Sequence, residues 1–134
     1  MRYMLDTNAV SVVLRGHDGI DIRLSALDGA DWCISAVTRA ELRYGLARKP
    51  EAKQLARLVS GFLELATTAP WDADAADAHG KLRAALRKAG TPIGDFDEMI
   101  AAHALALGCA LVTDNVQHFK RVKGLKVENW VRAA

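Results

Sequence analysis

Five short apolar runs, at 3–6, 32–36, 66–71, 109–113 and 125–128, are separated by longer segments with helical spacing of their apolar residues. That alternation constrains the fold more than any other feature. A chain must travel back before a parallel strand can pair with its predecessor, and a helix is the usual return path. Parallel strands are covered on both faces, so they read as nearly unbroken apolar runs. Met4-Leu5 and Ala110-Leu111-Val112 have that character. Helix signals lie at 8–14, 20–27, 38–48, 51–65, 72–89 and 95–107, with a helical turn at 116–119. The clearest is 51–65, where Leu55, Leu58, Val59, Phe62 and Leu63 fall at i, i+3, i+4, i+7 and i+8. Gly16, Pro50, Gly90-Thr91-Pro92 and Gly108 stand where those helices should stop. The expected architecture is α/β: three α/β/α layers around a central parallel sheet of about four to five strands. With 134 residues and no linker or repeat, one domain over 1–134 is expected.

Composition narrows the class. At 51% hydrophobic residues and only three prolines the chain can bury a core and is not disordered. A formal net charge of +2 gives neither a strongly basic coat nor an acidic tail. The local clusters Arg83, Arg87, Lys88 and Lys120, Arg121, Lys123 read as solvated faces. Cys33 and Cys109 each sit in an apolar run and read as small buried hydrophobes, with no disulfide framework or zinc site. The N-terminus reaches Asp6 before a signal-peptide core can form, and no apolar run approaches membrane-spanning length. A protein of the reducing cytoplasm without membrane contact is expected.

Four acids occupy positions that structure alone explains poorly. Asp6 closes the first strand, Glu41 follows the second, Asp97 opens the helix over 95–107, and Asp114 follows the fourth strand. In an open α/β sheet the carboxyl ends of the strands share one crevice, so acids distant in sequence meet there. Clustered carboxylates repel one another unless a cation neutralises them, and oxygen-rich, thiol-free sites suit Mg²⁺ or Mn²⁺. Each acid also has a local explanation. Asp6 can serve the start of the first helix, although Thr7 can cap it instead; Glu41 completes a capping box with Thr38. Asp97 shares its helix face with Ile100, Ala101 and Ala104, the buried face, whereas Asp95 and Glu98 share a side that suits solvent. Asp114 and Asn115 are not separable on spacing: one completes the ion's shell and the other turns the chain. Asp72, Asp74 and Asp77 read as first-turn acids of one helix.

Other chemistries lack their residues. The four histidines, His17, His79, His103 and His118, form no i, i+4 ligand pair and read as packing or surface groups. There is no nucleophile elbow and no glycine-rich phosphate loop. A phosphatase of the haloacid dehalogenase type needs a second acid two residues after Asp6; Asn8 stands there and cannot exchange a proton near neutral pH. The acids and lysine of a receiver-type phosphoacceptor are not evident either.

The chain resembles the PIN-domain ribonuclease toxins of VapBC toxin–antitoxin systems. The resemblance rests on Met4-Leu5-Asp6-Thr7-Asn8, on the block from Ser35 to Gly45 containing Thr38-Arg39-Ala40-Glu41-Leu42, and on Gly90-Thr91-Pro92-Ile93-Gly94-Asp95-Phe96-Asp97 continuing through Ile100-Ala101-Ala102-His103-Ala104. Leu111-Val112-Thr113-Asp114-Asn115 with His118-Phe119, and the ending Gly124 to Trp130, complete it. These blocks stand in family order and cover essentially the whole chain.

The resemblance implies a hydrolase of the endoribonuclease class that depends on Mg²⁺, with Mn²⁺ a possible substitute. It implies a homodimer and neutralisation by a cognate VapB-type antitoxin. It maps family acids onto Asp6, Glu41 and Asp97, ranks Asp95 below Asp97, and leaves the fourth place to Asn115 or a shifted Asp114. On this reading Asp6 and Asp97 hold the ion, Glu41 helps hold it or orients the attacking water, and Thr7, Asn8 and Thr113 steady the carboxylates by hydrogen bonds. RNA is the expected substrate, tRNA among the candidates, with inhibition of translation and growth as the consequence. The alternative is a degenerate PIN domain that binds RNA or a protein partner without cleaving.

Overall fold

The computed structural model describes residues 2–131. Its strands are β1 (Tyr3–Leu5), β2 (Trp32–Ser35), β3 (Thr68–Ala69), β4 (Ala110–Val112) and β5 (Val127–Glu128). They form one sheet in the order β3-β2-β1-β4-β5, with every pairing parallel. The helices are α1 (Thr7–Leu14), α2 (Asp18–Ser25), α3 (Ala36–Arg48), α4 (Lys53–Leu65), α5 (Ala73–Lys88), α6 (Asp95–Leu107) and α7 (Val116–Phe119). Each of the five apolar runs became a strand, and each helical segment a helix.

The two faces of the sheet follow from the two-residue period of a strand. On β1, Met4 enters one core with Cys33, Leu111, Ile100 and Phe119. Its neighbour Leu5 enters the other with Ile34, Val112, Val10 and Phe62. Both are fully buried, as are Ile34, Ile100 and Leu111. Burying such a side chain stabilises by roughly 1.5–3 kcal/mol relative to exposure. Helices therefore cover both faces of the central strands, giving the expected three layers. Trp130 is buried against Tyr3 with ring centroids 5.0 Å apart, beside the last strand as expected.

The order of the strands also fixes where a site can form. The chain leaves β1 toward β2 and β3 and later returns to the other side of β1 with β4 and β5. β1 is thus the switch point, and the crevice opens beyond its carboxyl end. Asp6 is the next residue, and its N–H donates to Val112 O (3.0 Å), tying it to the end of β4.

Some local expectations are corrected. Thr7 does not cap α1: Asp6 does, its Oδ1 accepting from the Ala9 N–H at 2.7 Å. Helix α3 starts two residues earlier than its capping-box signal, because the Ser35 hydroxyl accepts from the Val37 N–H (3.0 Å). Thr38 is then inside the helix and fully buried, and Glu41 is released from capping. Helix α2 begins at Asp18, where His17 caps it. Helix α6 keeps its expected bounds: Gly94 enters it at φ +98°, and Gly108 closes it at φ +71°, backbone conformations open to glycine.

Glu98 is the largest departure. It shares a side with exposed Asp95, yet it is completely buried. Its Oε1 lies 3.4 Å from Arg83 Nη1 on α5, and its Oε2 accepts from the Ile93 N–H at 3.5 Å. Arg83 bonds Asp95 as well (2.8 Å). A helix's own periodicity cannot show a cation brought in by another helix. Cys33 and Cys109 are buried and unbridged, as expected. Among the described residues, no helix is long and apolar enough to cross a membrane.

Candidate active site

Three of the predicted acids converge over the carboxyl end of β1. Asp6 is 1% exposed. One of its oxygens caps α1; the other, Oδ2, is buried and accepts no hydrogen bond. Burial pushes its pKa up to about 6. The neighbouring Thr113 hydroxyl and the Ala9 N–H oppose that rise, and the negative charges of Asp97 and Glu41 add to it. A buried carboxylate that faces two further carboxylates, with one oxygen in no well-formed hydrogen bond among the described residues and the Thr113 hydroxyl as its nearby side-chain donor, is a costly arrangement for a purely structural residue.

Glu41 comes from the second turn of α3. Its Oε1 accepts from the Thr7 hydroxyl at 2.6 Å. Thr7 also lies 3.2 Å from the buried Thr38 hydroxyl. Thr7 has one proton and gives it to Glu41, so Thr38 donates to Thr7. The chain Thr38–Thr7–Glu41 thereby aims the carboxylate. Burial raises the Glu41 pKa, the Thr7 bond lowers it, and the charge of Asp97 raises it again. Thr7→Val is expected to reduce turnover about 10–100-fold, the usual cost of losing a group that orients a ligand, with unchanged melting. Initial rates beside a thermal melt check this.

Asp97 projects from the first turn of α6, with its side chain about one-third exposed. Its Oδ2 lies 3.0 Å from His118 Nε2 on α7. In sequence His118 reads as a packing or surface group; in the structure it contacts Asp97. The missed signal is positional: α7 begins directly after the end of β4, and its third residue reaches back over the crevice. The other histidines have different settings. His103 is buried with Nδ1 2.8 Å from the Ser35 hydroxyl, and burial lowers its pKa. His79 packs edge-on against Trp71.

The remaining candidates stand elsewhere. Asp114 Oδ1 accepts from Asn129 Nδ2 at 3.2 Å. Asp114 and Asn115 line a polar cavity of about 440 Å³ together with Asn8, Ser11 and Arg15. The Asn115 N–H donates to the Thr113 hydroxyl at 3.0 Å. Asp95 is exposed and bound to Arg83, whose hydrogen bond holds its carboxyl below the usual range. From beyond β4, the acid cluster is contacted by the Thr113 hydroxyl at Asp6 and by His118 at Asp97.

The donor set fits a hard divalent ion: three carboxylates, one imidazole, no thiol. Among the described residues no three His, Cys, Asp or Glu groups stand close enough to chelate an ion directly. Mg²⁺ tolerates that spacing, because it usually keeps several waters and takes only one or two protein carboxylates. An ion entering the crevice would reach the partly exposed Asp97 before the buried Asp6 Oδ2.

The PIN domain family model matches residues 3–125. The tRNA(fMet)-specific endonuclease VapC of Shigella flexneri is 35% identical over 130 residues, covering 97% of this chain and 98% of that protein. The chain belongs to the PIN-domain family, among the VapC ribonucleases. Ribonuclease VapC2 of Haemophilus influenzae strain Rd is 34% identical to this VapC-family chain, covering 98% of it and 99% of the relative. A solved structure of DNA-bound VapBC from Salmonella typhimurium superimposes with a TM-score of 0.91 at 34% identity, over 97% of this chain and 98% of that one. VapBC2 from Rickettsia felis, bound to a promoter DNA fragment, gives 0.90 at 33% identity, over 97% and 99%. The fold and family expected from the sequence are those found.

Proposed function

We propose that this chain is the Mg²⁺-dependent endoribonuclease toxin of a VapBC-type module, acting in the cytoplasm on an RNA phosphodiester. The observation that carries this reading is the buried, unpartnered Asp6 Oδ2 at the switch point of the sheet, facing the charges of Glu41 and Asp97. Asp6 and Asp97 hold the ion, Glu41 orients the attacking water, and Thr7 and Thr113 steady the carboxylates. When bound, Mg²⁺ supplies acidification of water and neutralisation of charge on the reacting phosphate. His118 fixes Asp97 by its 3.0 Å contact. Asp114 and Asn115 line the separate polar cavity beside Asn8 and contribute from there to holding the ion or the RNA backbone.

The relatives from Shigella flexneri and Salmonella typhimurium are named as tRNA(fMet)-specific, so initiator tRNA is the substrate to try first. Several structural neighbours are VapBC complexes, which supports a VapB-type antitoxin as partner; the homodimer rests on the family resemblance alone. A groove of about 250 Å³ lined by Leu14, Leu42, Leu46, Leu55 and Val59 runs up to Thr7 and Glu41. An apolar antitoxin segment seated there would end at the acids, where an arginine could neutralise them.

The test is incubation of purified chain, freed of antitoxin, with total cellular RNA in Mg²⁺ and in EDTA. Discrete fragments that disappear in EDTA support the reading and reveal the substrate. Intact RNA in both conditions, with the protein folded, would move the assignment to a non-cleaving RNA or protein binder. Within the active enzyme, His118→Ala is expected to lower the rate about 10–100-fold, with partial recovery in His118→Gln. Rates equal to wild type in both variants would remove His118 from the site.

A further inference from the structure

Seven large apolar side chains are exposed among the described residues: Ile22, Tyr44, Leu55, Leu58, Leu65, Phe96 and Leu107. Only Tyr44 and Phe96 are aromatic, and they are 64% and 57% exposed. Both line one cavity of about 550 Å³, whose other walls are Ala40 and Glu41. None of the five aliphatic side chains borders it. Glu41 thus separates two cavities, the aliphatic groove toward α4 and this aromatic one. Phe96 immediately precedes Asp97, and Tyr44 follows Glu41 by three residues on the same helix. The two rings therefore share a cavity with Glu41, and Phe96 adjoins Asp97 in the chain.

The charge around them is also particular. Ala40, Arg43, Tyr44, Ala47 and Arg48 are the exposed residues of α3 at i, i+3, i+4, i+7 and i+8, one face of the helix. That face carries two arginines and no acid. The Arg48 guanidinium lies over the Tyr44 ring, 5.3 Å from its centroid.

We infer that Tyr44 and Phe96 form a stacking platform for unpaired bases flanking the scissile phosphate, with Arg43 and Arg48 holding the adjoining backbone. This rests on the nuclease reading and deepens it. With the reacting phosphate at the acids, a neighbouring nucleotide can enter the cavity that Glu41 shares with the two rings. Three carboxylates repel the RNA backbone, and a net charge of +2 offers little general attraction. Affinity must come from another source beside the site. Base–aromatic stacking supplies it without sequence readout, and arginine beside a ring adds to it. Bases inside a duplex are not available to such rings, so the platform selects loops and single strands.

The test measures binding separately from cleavage. Asp97→Asn protein, without added metal, is titrated into a labelled single-stranded RNA of mixed sequence and into the same strand annealed to its complement. Adding Tyr44→Ala or Phe96→Ala is expected to weaken single-strand binding roughly 5- to 150-fold per ring. Tyr44→Phe and Phe96→Trp should restore it, and duplex binding, weaker from the start, should change little. Both rings are exposed, so melting temperatures should stay within a few degrees. Unchanged single-strand affinity after loss of both rings overturns the platform. So does loss accompanied by conversion of a dimer to monomers in sedimentation, which would assign the rings to contact between copies. Absence of RNA binding by Asp97→Asn itself also overturns it; cleavage by wild type in Mg²⁺ then decides the nuclease reading on its own.

Discussion

Asp97→Asn is expected to lower RNA cleavage by at least about a hundredfold while leaving the chain folded. The magnitude follows from what is removed. A divalent ion contributes several kcal/mol of charge stabilisation in phosphodiester hydrolysis, and each 1.4 kcal/mol is a factor of ten in rate. Asparagine keeps the shape of the side chain and can still accept from His118 Nε2, so the 3.0 Å contact that positions residue 97 persists in neutral form. What disappears is the anionic oxygen. The fold has little at stake there. Asp97 lies in the first turn of α6, where an acid contributes about 0.3–1 kcal/mol through the helix dipole. Losing that is offset by relief of its repulsion with Asp6 and Glu41, both of whose pKa values it raises. Cleavage of total RNA in Mg²⁺, run beside a circular-dichroism melt, checks both halves. A folded Asp97→Asn protein that cuts within tenfold of wild type would remove Asp97 from the site.

The fold was legible because its signals are local and redundant. A parallel strand buried on both faces must be apolar along its length, and turn-forming residues bound each run, so β1 to β5 could be found within a residue or two. Helix starts were less legible. Ser35 and Thr38 are both capping residues followed by helix formers, and only packing decides that Ser35 caps α3 and Thr38 is buried. The site divides along the same line. Asp6, Glu41 and Asp97 stand where a strand meets a helix or a helix opens, and topology alone sends them to one crevice. His118 has no such mark. Its contact with Asp97 depends on how α7 turns after β4, where the 3.0 Å bond from the Asn115 N–H to the Thr113 hydroxyl sets the path. Glu98 was misread for a related reason: its periodicity suits solvent, and only α5 supplies the Arg83 that permits burial. Pairwise chemistry between segments distant in sequence is what the one-dimensional pattern lacks.

In the absence of metal, Asp6→Asn is expected to be more stable than wild type, and the difference to grow with pH. Asn is as good an N-cap as Asp, so the 2.7 Å bond from the Ala9 N–H survives and the substitution isolates the charge. Asp6 has an ordinary pKa near 3.8 and a folded-state pKa of about 6. Between those values the folded chain binds more proton than the unfolded chain, so stability falls as pH rises through that window. Below about pH 4 both states are protonated and the two proteins should melt alike, apart from small changes of packing. Above about pH 6 the folded wild type carries the buried charge at its full cost. The interval corresponds to about 3 kcal/mol, or of order 10 °C in Tm for a chain of this size. Glu41 shifts in the same direction, but it remains in both proteins and largely cancels in the comparison. Added Mg²⁺ should reverse the order at neutral pH. A cation that binds only the folded wild type stabilises it by mass action, and the variant lacks the oxygen that would receive it. Melts of both proteins from pH 4 to pH 8, with and without Mg²⁺, separate these effects. If Asp6→Asn tracks wild type across the whole range, Asp6 Oδ2 has a protein partner after all. A gap that opens with pH and closes with Mg²⁺ identifies the Asp6 carboxylate as an oxygen that the fold keeps charged for a cation.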